Sequence, residues 1–282
     1  MAIKIHDRFP GANVRVLAVR DTPQDVEIEF AADPHGSANS HWFFFKVVET
    51  TPDAPHPAKL TLTHRFFNAL RGSGQADGCR PVYQPEGQGW YRTNMGTIQA
   101  HADGRVDVSW TIPYPSPMTH VAVCFPFGKE ELDRSIQKSK GYWSLNSIGL
   151  SQGGRMIERL SNDFGHIHGK ASGVYIVARQ HAGDSPGSWV LDGIMDRFAR
   201  DKKLSCMLWA VPFANVDGVV HGDNNSNGIP CDLDSAWGES PARHETQVIQ
   251  HDMHAWASRC QPLLVLDLHA PGACESDGVY IN

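Results

Sequence analysis

Two short apolar runs in this chain end on a histidine. The first, VYIVARQH at 174–181, leads into a polar turn, AGDSPGSW, that holds Asp184 three residues after His181. The second, LLVLDLH, stops at His269. A histidine, a carboxylate and a second histidine delivered to one sheet edge make a metal-site pattern. Catalytic zinc sites use three such N/O ligands and leave the fourth position to water. A His and an Asp three apart carry little information alone. A strand end, a turn, a helix start and a second strand end give the pair its context. The competing reading makes Asp184 the N-cap of the helix that starts near Ser185, because Asp is favoured there.

The elements around these residues fall into two parts, 1–124 and 125–282. In the first, VRVLAV, DVEIEFA, HWFFFKVVE, AKLTLTHRF, RVDVSWTI and HVAVCFPF are short runs rich in Val, Thr and aromatics. Period-2 alternation is clear at Val26, Ile28 and Phe30, and at Val106, Val108, Trp110 and Ile112. Such runs between turn-forming clusters predict a β-sandwich. The segment 68–89 is polar and Gly-rich and reads as a long surface loop. In the second part strand and helix alternate. GKEELDRSIQKSKGYW has helical character. SPGSWVLDGIMDRFARDKK places Val190, Ile194 and Phe198 at i, i+4 spacing, with Leu191 and Met195 alongside. MLWAVPF reads as a buried strand, 215–238 as a Gly/Asn/Asp-rich loop, and SPARHETQVIQHDMHAWASRC as a helix capped by Ser240 with Pro241 at its first position. Ile249, Met253 and Trp256 form its inner stripe. This alternation predicts an α/β domain with a mixed, largely parallel sheet, in which ligands gather at the carboxyl ends of strands.

The totals set bounds. The chain has 282 residues, a formal charge of −6 and 41% apolar residues. No apolar run approaches the length of a membrane helix. The N-terminus shows no basic-then-apolar signal segment, so a cytoplasmic location is expected. No Lys/Arg block points to nucleic acid. The six cysteines form no CxxC pair and read as free thiols. Nothing in the sequence fixes an oligomeric state.

Several blocks, in order, resemble the zinc carboxypeptidase superfamily, and within it the cytosolic carboxypeptidase branch. VARQHAGDSPGSW is similar to that branch's His-x-Gly-Glu turn, which follows a strand ending in Ala-Arg. IGLSQGGRMI resembles its Ile-Gly-x-Ser-x-x-Gly-Arg stretch and VPFANVDGVVHG its Pro-x-x-Asn-Pro-Asp-Gly-Val turn. DLDSAW resembles Asp-Leu-Asn-Arg-x-Trp, and LDLHA the strand ending in the third zinc ligand. HWFFFKV, RPVYQ, GWYR and VAVCFPFGKEEL resemble the β-sandwich that precedes the catalytic domain. The resemblance implies a Zn2+ cofactor held by His181, Asp184 and His269, with Asp232 accepting from His181. It implies metal-assisted hydrolysis of a peptide or amide substrate. Zinc would lower the pKa of its water and polarise the carbonyl, and a glutamate would move the proton.

The sequence departs from that family in three places. Asp184 stands where the family has Glu, one methylene longer. The family's carboxylate-binding Arg, Asn and Arg align with Asn225, Asp234 and Ser235, which turns a positive motif negative and disfavours a substrate carboxylate. Arg155, Arg179 and Arg243 are the candidates to compensate. An amidase or deacylase that needs no C-terminal carboxylate is the alternative. Third, the sequence ends thirteen residues after His269. The family's general-base glutamate lies on a later strand, and Glu275 comes too early to match it. The chain therefore reads as a fragment, or else as a binding module with weak catalysis. Finally, Asp223, Asn225, Asn227, Gly228 and Asp234 follow part of a calcium-loop spacing, read here as a surface turn.

Overall fold

The computed structural model describes residues 3–21, 25–36, 40–50, 58–67, 78–113, 116–201, 203–225 and 230–270. Among them are three five-stranded sheets and four helices, a mixed α/β structure. They form two compact units. One comprises residues 1–126 with the short segment 221–224, and the other 127–220 with 225–270.

The first unit holds two sheets. One has the order β1 (Ile3–His6), β4 (Phe44–Glu49), β10 (Met118–Ala122), β6 (Val82–Pro85), β7 (Tyr91–Arg92), with antiparallel pairing throughout. The other has the order β2 (Arg15–Asp21), β3 (Asp25–Ala31), β5 (Lys59–His64), β9 (Val106–Pro113), β8 (Thr97–Ala100). There β3 and β5 run parallel, because the intervening β4 belongs to the other sheet. Period-2 alternation sorts each strand into an inner and an outer face. Val26, Ile28 and Phe30 of β3, Leu60 and Leu62 of β5, and Trp110 and Ile112 of β9 meet Phe45, Val47 and Val121 in one buried core.

The same alternation carries His64 inward from Leu60 and Leu62. It is 1% exposed and packs against Phe30, Phe43 and Phe67. Its Nε2 accepts the backbone N–H of Ala32 at 3.3 Å.

The second unit is one sheet between helices. The strand order is β11 (Ser144–Leu150), β12 (Met156–Ser161), β14 (Met207–Val211), β13 (Ser172–Ala178), β15 (Gln261–Leu268). The β11/β12 and β12/β14 pairs are antiparallel, while β13 pairs in parallel with both β14 and β15. The sheet is thus evenly mixed rather than largely parallel, because the hairpin of β11 and β12 occupies one side of it. On one face Val174, Ile176 and Ala178 pack with Leu132 of α1 (Lys129–Lys138) and with Leu191 and Met195 of α2 (Ser185–Arg200). On the other face Tyr175 and Val177 pack with Ile249 and Trp256 of α4 (His244–Ala257). Burial from both sides explains why β13 reads as an unbroken apolar run.

Several local expectations are corrected. Helix α4 begins at His244 after the N-cap residue Arg243, so neither Ser240 nor Pro241 starts it. The inward face of α2 is carried by Leu191 and Met195 with Ile194 and Phe198 packed against the same core, as expected, but Val190 is exposed. β6 forms inside the segment expected to be loop, of which 68–77 lies outside the described residues. A short helix, α3 (Val216–His221), forms inside the expected 215–238 loop. The five described cysteines are free, and Cys274 lies outside the described residues. No helix among the described residues is long and apolar enough to cross a membrane.

Two predictions follow from the packing. A Cβ on Gly187, in the first turn of α2, would sit 2.8 Å from the Leu268 carbonyl oxygen at the end of β15. Gly187→Ala should therefore cost about 1–3 kcal/mol, read as a lower denaturation midpoint. Burial, helped by the neighbouring His41, pushes His64 from its ordinary 6.5 down to about 4. The unfolded chain then takes up this proton first. The stabilisation is complete above pH 6.5 and is lost as pH falls toward 4. The loss should reach roughly 3 kcal/mol. The pH dependence of the urea midpoint should flatten over this window in His64→Gln, and an unchanged slope would refute the assignment.

Candidate metal centre

Strand β13 delivers its chain to the sheet edge at Ala178, where parallel pairing sets Ala178 opposite Leu268 of β15. The two strands therefore end level. His269 emerges directly after one, and the turn bearing His181 directly after the other.

The turn starts at Arg179, whose φ of +61° lies in the left-handed region uncommon for side chains other than glycine. Its own guanidinium holds it there. Arg179 is 2% exposed. Its Nε donates to the Ala182 carbonyl at 2.8 Å, and its Nη1 to the Phe127 carbonyl at 2.9 Å and to Ser188 Oγ at 3.2 Å. Nη2 also donates to the Ala182 carbonyl. A buried and well-partnered guanidinium rigidifies the loop it bonds.

The result is a compact triad. His269 Nδ1 lies 3.0 Å from Asp184 Oδ2 and 3.2 Å from His181 Nδ1, and His181 Nδ1 lies 3.4 Å from Asp184 Oδ2. A tetrahedral ion with bonds of about 2.0–2.1 Å spaces its ligand atoms roughly 3.3 Å apart. The donor set and its spacing fit zinc. Asp184 occupies the N-cap position of α2, but its side chain makes no capping hydrogen bond there. It turns toward the two histidines instead.

Each imidazole presents its other nitrogen to a carboxylate. His181 Nε2 lies 3.5 Å from Asp234 Oδ2, and His181, Asp232 and Asp234 also bring potential ligand atoms within 4.8 Å of one another. His269 Nε2 lies 3.0 Å from Asp267 Oδ2. Asp267 was not singled out from sequence. The available signal was period-2 spacing, since a residue two before His269 on a strand shares its face.

Without an ion, these contacts shift the ionisation of the site. Burial alone would push the Asp184 carboxyl up, but hydrogen bonds from His181 and His269 outweigh it and hold Asp184 below the usual carboxylate range. The hydrogen bond to Asp184 raises His181. Hydrogen bonds to Asp184 and then Asp267 push His269 up to about 10. Loading a metal on the Nδ1 atoms must displace protons held this way.

The remaining expected residues are placed as follows. Ser235 adjoins the cluster, with Oγ donating to Asp234 Oδ1 at 3.3 Å. Asn225 accepts from Asn215 Nδ2 through its backbone carbonyl at 3.5 Å. Asp223 is bound to His35 Nδ1 at 2.7 Å, whereas Asp234 lies beside His181. Asn227 and Gly228, the centre of the calcium-like spacing, lie outside the described residues, as does Glu275.

The three arginines that could replace the missing positive charge are engaged elsewhere. Arg155 Nη1 pairs with Asp217 at 2.6 Å. Arg179 is spent on the turn. Arg243 is 5% exposed, and donates to the Cys231 carbonyl and pairs with Glu245.

No family model matches the chain. It is 24% identical over 253 residues to cytosolic carboxypeptidase 2 of Xenopus tropicalis, covering 78% of this chain and 25% of that protein. It is 24% identical over 323 residues to cytosolic carboxypeptidase 4 of Mus musculus, covering 99% of this chain and 28% of that protein. The chain thus spans roughly a quarter of the length of these relatives. Among solved structures it matches a metallo-carboxypeptidase from Pseudomonas aeruginosa in complex with (2-guanidinoethylmercapto)succinic acid. The TM-score is 0.74 at 24% identity, over 94% of this chain and 69% of that one. In sequence this chain is similar to cytosolic carboxypeptidases, and its fold is that of the metallo-carboxypeptidases.

Proposed function

We propose that this chain carries the zinc centre of a metallocarboxypeptidase-like hydrolase that cleaves a peptide or amide bond in the cytoplasm. The observation that carries the reading is the triad of His181 Nδ1, Asp184 Oδ2 and His269 Nδ1, with mutual distances of 3.0–3.4 Å. When bound, zinc supplies an acidified water and a Lewis acid toward the carbonyl. His181, Asp184 and His269 hold it. Asp234 faces the outer nitrogen of His181 with Asp232 in the same cluster, and a carboxylate in that position orients the ring and raises its basicity. The general base remains unassigned among the described residues. We further propose that residues 1–124 form a β-sandwich domain preceding an α/β domain at 125–282.

A second reading concerns the substrate. Asp234 stands beside His181 where the family's carboxylate-binding asparagine aligns, and Arg155, Arg179 and Arg243 are engaged elsewhere. A negative wall at this position opposes a substrate carboxylate. An amidase or deacylase acting on neutral or amine-bearing groups fits it better than an exopeptidase does.

Two measurements test these proposals. Purified protein should bind one zinc per chain, and His181→Ala should lose it. Metal analysis showing no zinc in the wild type after loading would refute the metal centre. In addition, peptides with amidated C-termini should be cleaved at least as fast as those with free carboxylates. A strong preference for the free carboxylate would overturn the role given to Asp234 and Ser235.

A further inference from the structure

We propose that Asp267 is a positioning residue that selects the metal-binding tautomer of His269, and that Trp237 and Gln180 hold Asp267 in that role. The inference rests on the zinc reading above and extends it to residues outside the triad.

The argument runs on donors and acceptors. An indole N–H can only donate. Trp237 Nε1 donates to Gln180 Oε1 at 2.6 Å. That contact removes the ambiguity of the Gln180 amide, because its oxygen must face the indole and its NH2 must face away. Gln180 is 2% exposed, so water does not offer an alternative partner on that side. Gln180 Nε2 then donates to Asp267 Oδ2 at 2.5 Å. The same oxygen lies 3.0 Å from His269 Nε2. An oxygen that already accepts from the amide N–H presents an acceptor to His269, and the contact between them needs a donor from the ring. The Nε2–H tautomer provides it. Nδ1, the nitrogen that faces His181 and Asp184, is then the one that gives up its proton to a metal.

Direction is therefore imposed step by step from a donor-only group to the ligand atom. The anchor matters because β15 is the outermost strand of this sheet among the described residues and the Asp267 side chain is 45% exposed. Alone, such a carboxylate would lose side-chain order and its hold on the ring. The relay also joins β15 to the segment that carries Asp232 and Asp234, since Trp237 follows them closely in the chain. A histidine ligand whose outer nitrogen is fixed by a carboxylate binds metal more tightly, and loss of that partner typically costs about 10–100-fold in affinity.

The test uses zinc affinity measured by competition with a chromophoric chelator, together with the absorption spectrum of the cobalt-loaded protein. Asp267→Ala should weaken zinc binding by about 10–100-fold. Asp267→Asn keeps an oxygen able to accept both bonds, so it should recover part of that loss. Trp237→Phe removes only the indole donor and should weaken zinc binding to a lesser degree. It should add nothing in the Asp267→Ala background, and it should shift the cobalt bands in the wild-type background. A wild type that binds no zinc would sink the metal reading itself. A wild type that binds zinc while Asp267→Ala matches it would overturn this inference alone. Additive losses from Trp237→Phe and Asp267→Ala would overturn the relay. If Asp267→Ala does not fold, Trp237→Phe decides: unchanged affinity and unchanged cobalt bands refute the proposal.

Discussion

The parallel register of β13 on β15 is the constraint on which the site depends. Ala178 pairs with Leu268, so the strands end at one level and the next residues of each meet. A slip of one residue would reverse the faces of every side chain on β15. Leu266 and Leu268 would leave the core they share with α2. His269 would point away from His181 with them. The geometry of the His181–Asp184–His269 cluster and the core packing thus answer to the same hydrogen-bond register, and the apolar contacts hold the two strand ends level. Gly187 shows how closely this is drawn, because α2 approaches the end of β15 with no room for a Cβ.

The turn at Arg179 solves the other half of the problem. A chain leaving β13 must reverse and start α2 within a few residues while presenting both His181 and Asp184. The left-handed backbone at Arg179 makes the bend, at a local cost typical of such positions. Its guanidinium, bonded to Ala182, Ser188 and Phe127, offsets that cost by satisfying backbone oxygens that would otherwise be buried alone. The arginine that sequence comparison left open as a substrate ligand is thereby accounted for as part of the scaffold.

The charge around the triad is predominantly negative. Asp184, Asp232, Asp234 and Asp267 all lie in or beside the two imidazoles. Arg155, Arg179 and Arg243 are each turned to other partners. In a partly enclosed site the sign of such a surplus weighs more than it would in open water. The fold is shared with known metallo-carboxypeptidases, while this local charge belongs to the residues of this chain.

Much of the site was legible in the sequence because its parts lie at element ends. Strand β13, buried on both faces, betrays itself as an apolar run, and β15 is an equally apolar run, so the ends at His181 and His269 could be read directly. Inner-face alternation marked Val26, Ile28, Phe30, Trp110 and Ile112 for the same reason. What stayed hidden depended on neighbours distant in the chain. The start of α4 at His244 overrode a good capping signal at Ser240, since packing and not propensity decides where a helix begins. The antiparallel hairpin β11–β12 made the sheet evenly mixed, and no local pattern encodes the partner of a strand. Asp267 looked like one more polar residue on a strand. Its partnership with His269, Gln180 and Trp237 exists only because three separate segments converge. The sequence by itself determined which residue types were available at the strand ends. Only the tertiary structure decided which nitrogen of each histidine faced the triad, because hydrogen-bond direction is set by partners that the chain brings in from far away.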